Sequence, residues 1–197
     1  DLRVGSLPSG VGDRMNVYDF DKTIFHKDTT FQFYLWSIRR WPKMLRFLPG
    51  TLISALSMKL GLCDKNAFKQ SLFRFLRDVP EPKKQIERFW DEHMNLIHRW
   101  YLDAHRPDDV VITASPVDFV RPACRRLGIE YVLGSPVDIE KGVCTGKNCD
   151  GAEKVRAFDA AFPGARVERF YSDSLHDTPM AMRAETAYMV KGERLEP

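Results

Sequence analysis

The sequence is poor in cysteine and carries little net charge. Four of its 197 residues are cysteine, and their spacing matches no zinc framework. A chain of this length needs no disulfide bonds to hold a core, so we expect reduced thiols and a cytoplasmic location. The formal net charge of +3 is too small to indicate nucleic acid as a partner. With 44% hydrophobic residues, the composition is typical of a globular protein.

Residues 29–63 lack both acidic residues and a run long enough to cross a bilayer. Their longest uncharged stretch, FLPGTLISALSM, is too short for a span and contains Pro-Gly. Five basic side chains stand among aromatic and aliphatic ones. Two interpretations stay open. The segment either packs its apolar faces within the protein, or forms an amphipathic surface that contacts anionic lipid and makes the protein membrane-peripheral.

The chain changes its pattern after the first strand-like run and again near residue 107. Residues 29–106 have helical periodicity and no convincing strand, whereas strands and helices alternate in residues 107–197. We therefore predict an α/β protein with a Rossmann-like parallel-sheet core formed by residues 15–28 and 107–197. Residues 29–106 are predicted to be a helical cap inserted after the first strand. Residues 1–14 lack periodicity, and we expect a disordered leader or tag there.

Polar side chains follow the predicted strands of this core. They are Asp19 and Asp21 after the first strand, Thr113 and Ser115 after the second, Asp173 and Asp177 after a later strand, and Lys154 on the helix that follows a predicted hairpin. Chemistry in open parallel sheets collects at the carboxyl ends of the strands. We therefore expect these side chains to converge on one crevice.

Four clustered carboxylates would repel one another without a cation. The group consists of Asp19, Asp21, Asp173 and Asp177. Hard oxygen ligands of this kind suit Mg²⁺, which also tolerates water and substrate phosphate in its coordination shell. Lys154 adds a positive charge for phosphate oxygens. The Thr113 hydroxyl and adjacent backbone N–H groups can donate to the same oxygens, and Phe20 and Ala114 are assigned to phosphate binding with it.

The two carboxylates of the segment NVYDFDKTIF can divide the chemistry between them. An ionised Asp19 can attack phosphorus through a carboxylate oxygen. Asp21 lies two residues beyond it, where it can protonate the leaving group and then take a proton from the hydrolytic water. The Thr23 hydroxyl can fix the loop. The residues thus predict hydrolysis of a phosphomonoester through a phosphoaspartate.

The ordered set DFDKT, VITAS, Lys154 and YSDSLHD resembles the haloacid dehalogenase-like superfamily of phosphatases. The helical insertion directly after the first motif is similar to that of the phosphoserine-phosphatase-like branch, subfamily IB, whose cap is of the C1 type. The resemblance covers residues 15–197. It implies the same roles for Asp19 and Asp21. It also implies a Mg²⁺ ion bound by Asp173, Asp19 and the backbone carbonyl of Asp21, with Asp177 nearby or acting through water.

The substrate follows less directly from these motifs. Asp28 stands roughly where phosphoserine phosphatases carry a glutamate that holds the substrate's amino group, and His26 and Asp28 could line the substrate entrance. Where those enzymes have Gly-Gly after the second motif, this chain has Ala114-Ser115. We expect a small or amphiphilic phosphate ester. The alternatives are a lipid phosphate of the phosphatidylglycerophosphate type, hydrolysed at a membrane surface, and a non-catalytic phosphate-binding or regulatory module.

Overall fold

The computed structural model describes residues 14–197, so the predicted leader lies outside the described residues except for Arg14. The strands are β1 Arg14–Tyr18, β2 Val110–Pro116, β3 Tyr131–Ser135, β4 Val137–Asp138, β5 Val143–Cys144, β6 Arg166–Ser172, β7 Ala184–Lys191 and β8 Arg194–Glu196. The α-helices are α1 Thr29–Arg40, α2 Leu48–Lys59, α3 Lys65–Phe73, α4 Pro82–His93, α5 Arg99–Ala104, α6 Val117–Arg126, α7 Ala152–Ala161 and α8 Thr178–Ala181.

Six strands form one sheet in the order β3-β2-β1-β6-β7-β8, and β4 pairs with β5 as a separate antiparallel hairpin. All pairs in the large sheet are parallel except β7 with β8. The predicted α/β parallel-sheet core is therefore confirmed. Because β1 lies between β2 and β6, the residues that follow these three strands meet at one edge of the sheet.

The helices α1 to α5 lie between β1 and β2 in the chain, which confirms a helical insertion after the first strand. Aspartates begin two of these helices. The Asp28 carboxylate accepts from the Phe31 N–H at 2.8 Å, and the Asp64 carboxylate accepts from the Ala67 N–H at 2.8 Å. Each satisfies a backbone donor that the helix itself leaves unpaired.

Alternate residues of β1 pack on opposite faces of the sheet. Met15 and Val17 join the cluster around Phe158, on the side of α7. Tyr18 joins a larger, aromatic cluster that includes residues of the inserted helices. Within that cluster, Trp90 of α4 donates its indole N–H to the backbone oxygen of Phe119 in α6 at 2.6 Å. The insertion therefore shares a core with the sheet.

The carboxyl-terminal part of the chain contains a strand that the sequence did not indicate. Strand β8 returns antiparallel to β7, with Gly192 at φ +63° in the turn between them. This turn places Glu193 against α5. The four cysteines are free, as expected. Between residues 14 and 197, no helix is both long enough and apolar enough to cross a bilayer.

Candidate active site at the carboxyl ends of the strands

The turn after β1 delivers two aspartates to the edge of the sheet. The Asp19 N–H donates to the Tyr171 carbonyl at 2.8 Å, which continues the β1–β6 ladder by one residue. The Phe20 carbonyl then accepts from the N–H groups of residues 23, 24 and 25, at 3.3, 2.9 and 3.0 Å. Lys22 adopts a positive φ of 59° in this reversal. The chain therefore turns sharply enough to carry Asp21 past the strand end.

Lys154 bridges two of the predicted carboxylates. Its Nζ donates to Asp19 Oδ1 and to Asp177 Oδ2, each at 2.7 Å, and all three side chains are buried. The Ser172 hydroxyl, at the end of β6, donates to the same Asp177 oxygen at 2.7 Å. Burial disfavours the ammonium, but the two carboxylates outweigh it and raise the pKa of Lys154. The lysine is therefore held charged between Asp19 and Asp177.

Thr23 connects Asp173 to Asp19 through two hydrogen bonds. The Thr23 Oγ1 lies 3.5 Å from Asp19 Oδ2, to which it donates, and accepts from the Asp173 N–H at 3.0 Å. Burial raises the pKa of Asp19 to about 6, the Lys154 ammonium acts against this, and Asp177 adds to it. Burial also raises the pKa of Asp173. Partly desolvated carboxylates at one strand edge form a hard-oxygen donor set that fits Mg²⁺.

Asp21 contacts both the core and the insertion. Its Oδ2 accepts from the hydroxyl of Ser115, near the carboxyl end of β2, at 2.5 Å. Its Oδ1 accepts from the Thr29 N–H at 2.9 Å and also from the Thr29 hydroxyl, at the start of α1. Burial, followed by the charge of Asp28, raises the pKa of Asp21 to about 7. Asp21 is therefore oriented by hydrogen bonds and easily protonated near neutral pH.

The residues predicted to bind phosphate lie at the same edge. Thr113 is buried, and its Oγ1 accepts from the Ser115 N–H at 3.1 Å. Ala114 lines a cavity of about 260 Å³ beside Asp21. The Phe20 ring is buried against Trp90, with ring centroids 5.7 Å apart, so Phe20 contributes backbone rather than side chain to the turn. The structure thus gathers the predicted residues around Asp19 and Asp21.

The cavity is shared between the core and the insertion. Its apolar wall consists of Met58, Phe68, Leu72 and Phe73, and its polar lining consists of Asp21, Asp28, Thr30, Lys69, Ser115, Asn148 and Asp150. Asp28 thus borders the cavity, and its role at the substrate entrance stays a prediction. His26 instead stacks on His98, with ring centroids 3.7 Å apart.

Lys69 is a functional candidate that the sequence did not reveal. Its Nζ donates to the Ala114 carbonyl at 2.5 Å and to Asn148 Oδ1, which connects α3 of the insertion to the core. Burial lowers the pKa of Lys69. The only signal in the sequence is a charge next to Phe68 on an otherwise apolar stripe of the helix. Asn148 carried no signal, because its position depends on the loop that precedes α7.

The protein has a mostly parallel sheet, carboxylates clustered at its strand ends, a buried lysine among them and a helical insertion after the first strand. This arrangement is typical of α/β enzymes whose active site lies at the carboxyl ends of the strands. The family model of the haloacid dehalogenase-like hydrolases matches residues 17–182, and the chain belongs to this family. The predicted superfamily and the prediction of an enzyme are thereby confirmed. No curated protein matches the sequence significantly.

Solved structures share this fold at low sequence identity. A Bordetella pertussis Tohama I protein of unknown function has a TM-score of 0.71 and 18% identity, over 86% of each chain. A phosphoserine phosphohydrolase-like protein from Francisella tularensis has a TM-score of 0.54 and 17% identity, over 86% of this chain and 82% of that one. A cytosolic 5'-nucleotidase IIIB bound to cytidine has a TM-score of 0.54 and 14% identity, over 89% and 70%.

Proposed function

We propose that the protein is a Mg²⁺-dependent phosphomonoester hydrolase that works through a phosphoaspartate on Asp19. The observation that carries the proposal is the buried Lys154 ammonium, 2.7 Å from both Asp19 and Asp177, at the edge where Asp21 and Asp173 also lie. This arrangement provides a nucleophile, an adjacent acid and a positive charge within the space of one phosphoryl group. Membership of a hydrolase family supports it.

In the first step, a carboxylate oxygen of Asp19 forms a bond to phosphorus while the bond from phosphorus to the ester oxygen breaks. Asp21 gives its proton to that departing oxygen. In the second step, Asp21 takes a proton from water, whose oxygen attacks phosphorus and releases inorganic phosphate and free Asp19. Ser115 and Thr29 hold the Asp21 carboxyl in place for both transfers. Lys154 and the Thr113 hydroxyl bind the phosphoryl oxygens.

The proposed Mg²⁺ ligands are the Asp19 and Asp173 carboxylates and the backbone carbonyl of Asp21, with Asp177 nearby or acting through water. When bound, the ion would neutralise the dianionic phosphate and polarise the phosphoryl group. The hydrogen bonds of Thr23 to Asp19 and Asp173 keep these two residues adjacent.

The cavity supports a small substrate whose leaving group has both apolar and charged parts. Its volume of about 260 Å³ is below the ~300–1,000 Å³ usual for drug-sized ligands. One wall is apolar and the other carries Lys69 and Asp28. Residues 29–106 would act as the cap that closes over this cavity and excludes bulk water during transfer. Residues 15–28 and 107–197 would form the catalytic core beneath it.

The test is a panel of phosphate esters assayed with Mg²⁺ and again with a chelator in excess. It would include amino-acid, sugar, nucleotide, choline and lipid phosphates, together with p-nitrophenyl phosphate. We expect turnover of at least one ester that requires Mg²⁺. Asp19→Asn should lower it by at least about 10³-fold, whereas the exposed control Asp159→Asn should not. Full activity of Asp19→Asn would remove Asp19 from its role.

A second candidate substrate is a lipid phosphate, and α2 provides the observation that favours it. Leu52, Ile53 and Leu56 of this helix are 58–67% exposed, and Met58 of the same helix lines the cavity. The same helix therefore presents apolar side chains to solvent and contributes Met58, from its opposite face, to the cavity. The basic residues of the 29–63 segment would lie at anionic headgroups, with the aliphatic side chains buried among the lipids.

Vesicle binding distinguishes the two substrates. Under the lipid proposal, the protein co-sediments with vesicles that contain anionic lipid and less with neutral ones. A triple variant Leu52→Ser, Ile53→Ser and Leu56→Ser should lose this binding, whereas Met182→Ser, which removes an even more exposed apolar side chain elsewhere, should keep it. Equal co-sedimentation of the protein with anionic and neutral vesicles would contradict the lipid proposal and leave a phosphate ester outside the membrane as the substrate.

A further inference from the structure

Two histidines and a glutamate lie close together where the insertion meets the core. The ligand atoms of His26, His98 and Glu193 all lie within 4.8 Å of one another. His98 Nδ1 is 2.7 Å and His26 Nε2 is 3.5 Å from the same Glu193 oxygen, Oε1. His98 is buried, whereas His26 and Glu193 remain accessible to solvent. None of the three takes part in the proposed hydrolysis.

Backbone hydrogen bonds hold these three residues in place, and those of His26 and His98 form one antiparallel bridge between Phe25 and Ile97. The His26 N–H donates to the Leu96 carbonyl at 3.0 Å, and the His98 N–H donates to the Ile24 carbonyl at 2.8 Å. The Glu193 carboxylate is held by the N–H groups of residues 99 and 100, at 3.3 and 3.1 Å. The three side chains come from separate stretches of the chain, so no local sequence pattern accounts for their meeting.

We propose that His26, His98 and Glu193 form a binding site for one divalent metal ion of the Zn²⁺ class, separate from the carboxylate pocket. Two imidazoles and one carboxylate are a donor set that suits Zn²⁺ rather than Mg²⁺, with the fourth position left to water. Tetrahedral Zn²⁺ with bonds of ~2.0–2.2 Å places neighbouring donors about 3.3–3.5 Å apart.

Two donor separations bear on this geometry. The His26–Glu193 distance of 3.5 Å already matches it. The His98–Glu193 distance of 2.7 Å is that of a hydrogen bond, so the ion replaces the shared proton and the two atoms move apart by ~0.6–0.8 Å. The His26 and His98 rings are stacked with their planes 28° apart, so the exposed His26 ring has to turn before both nitrogens face one ion. The positive charge of Lys27 acts on His26 and opposes binding of a metal ion there. The negative charge of Glu193 acts in the opposite direction and favours binding.

The position of the site indicates what the ion does. His26 lies on the connection that leads into the insertion, and His98 lies within the insertion, directly before α5. Glu193 lies in the turn between β7 and β8 of the core. A bound ion would link this part of the insertion to the turn at the sheet and limit their relative movement.

Zn²⁺ titration of the full chain tests the site, with millimolar Mg²⁺ present to compete for the carboxylate pocket. We expect one Zn²⁺ per chain by calorimetry. His26→Ala and Glu193→Gln should each weaken binding by at least about tenfold. The control His105→Ala, which removes the histidine directly after α5, should leave the affinity unchanged. Imidazole ¹⁵N spectra should show Zn²⁺-dependent shifts at Nε2 of His26 and Nδ1 of His98.

His26 is exposed, so His26→Ala should keep the fold, and a thermal melt checks this. The proposal is wrong if no Zn²⁺ binds above the Mg²⁺ background, or if His26→Ala and Glu193→Gln bind as tightly as the parent. Loss of Zn²⁺ binding only on Asp19→Asn would place the ion in the carboxylate pocket and overturn it as well. Since the readout is binding rather than turnover, these outcomes are independent of the phosphatase proposal.

Discussion

Two lysines from different parts of the molecule make hydrogen bonds near the carboxyl ends of the strands, and their hydrogen-bond partners differ in charge. Lys154 of the core is buried between the carboxylates of Asp19 and Asp177, which raise its pKa. Lys69 of the insertion is half-buried against two neutral acceptors, the Ala114 carbonyl and the Asn148 amide, and burial lowers its pKa. The core thus pairs its lysine with carboxylates directly, while the lysine of the insertion donates to neutral oxygens, and burial outweighs the more distant carboxylates of Asp150, Asp21 and Asp28.

This difference separates chemistry from recognition. A charge that is balanced within the protein costs little to keep in place, so Lys154 can hold Asp19 oriented before the substrate binds. The charge of Lys69 is opposed by burial, and an anionic group on the substrate would relieve that cost. Under the proposed function, we therefore expect the core to bind the phosphoryl group and the insertion to recognise the leaving group.

Replacing Lys154 should produce the largest effect. Lys154→Met leaves Asp19 and Asp177 buried without their counter-charge, and breaking a buried ion pair costs about 3–5 kcal/mol. Activity should fall by roughly 10³-fold, because a preorganised charge on the phosphoryl group is lost. Urea unfolding at neutral pH and steady-state kinetics measure the two effects.

The matched control is Lys141→Met, whose lysine is 77% exposed and pairs with Asp138 at 3.0 Å. Its unfolding free energy should change by less than ~1 kcal/mol. Equal stability losses in the two variants would show that the buried network around Lys154 contributes nothing beyond a surface pair.

Replacing Asp21 should have a smaller effect that depends on the leaving group. Asp21→Asn keeps the shape of the side chain but cannot donate the proton, so an alkyl phosphate should lose roughly 10²-fold in kcat. p-Nitrophenyl phosphate, whose phenolate leaves without protonation, should lose much less. The ratio of the two rates is the measurement, and the two esters control for each other. An equal loss for both would contradict a general acid at Asp21.

Local patterns in the sequence were sufficient for the core but not for its contacts with the insertion. The apolar run before Asp19 and the alternation after residue 107 predict the parallel sheet, and strand ends then predict Thr113, Asp173 and Asp177. These inferences work because topology alone brings strand ends together. The sequence also placed Ser115 at a strand end, but its hydrogen bond to Asp21 depends on how the turn and strand align.

The remaining contacts depend on tertiary packing. Lys69 meets Asn148 only because α3 packs over the loop before α7, and the two residues are 79 positions apart in the chain. Glu193 reaches His98 because β8 folds back, and they are separated by 95 positions. No periodicity or motif encodes either approach, so single-sequence reasoning could not find them.

Replacing Lys69 should have the smallest effect on the fold and the most selective effect on activity. Lys69→Met removes the donor to Ala114 and Asn148, but the Ser135 hydroxyl lies 2.7 and 2.9 Å from the same two oxygens and can satisfy one of them. The unfolding free energy should therefore fall by only about 1 kcal/mol.

The kinetic consequence should divide the substrate panel. For esters whose leaving group carries an anionic group, kcat/KM should fall about tenfold, the usual order for one charge-assisted hydrogen bond. For p-nitrophenyl phosphate, which has no such group, it should stay within the error of the exposed control Lys83→Met. A uniform loss across the panel would place Lys69 in the chemistry with Lys154, and the division between core and insertion would then fail. A loss confined to anionic leaving groups would instead identify the group that the insertion recognises.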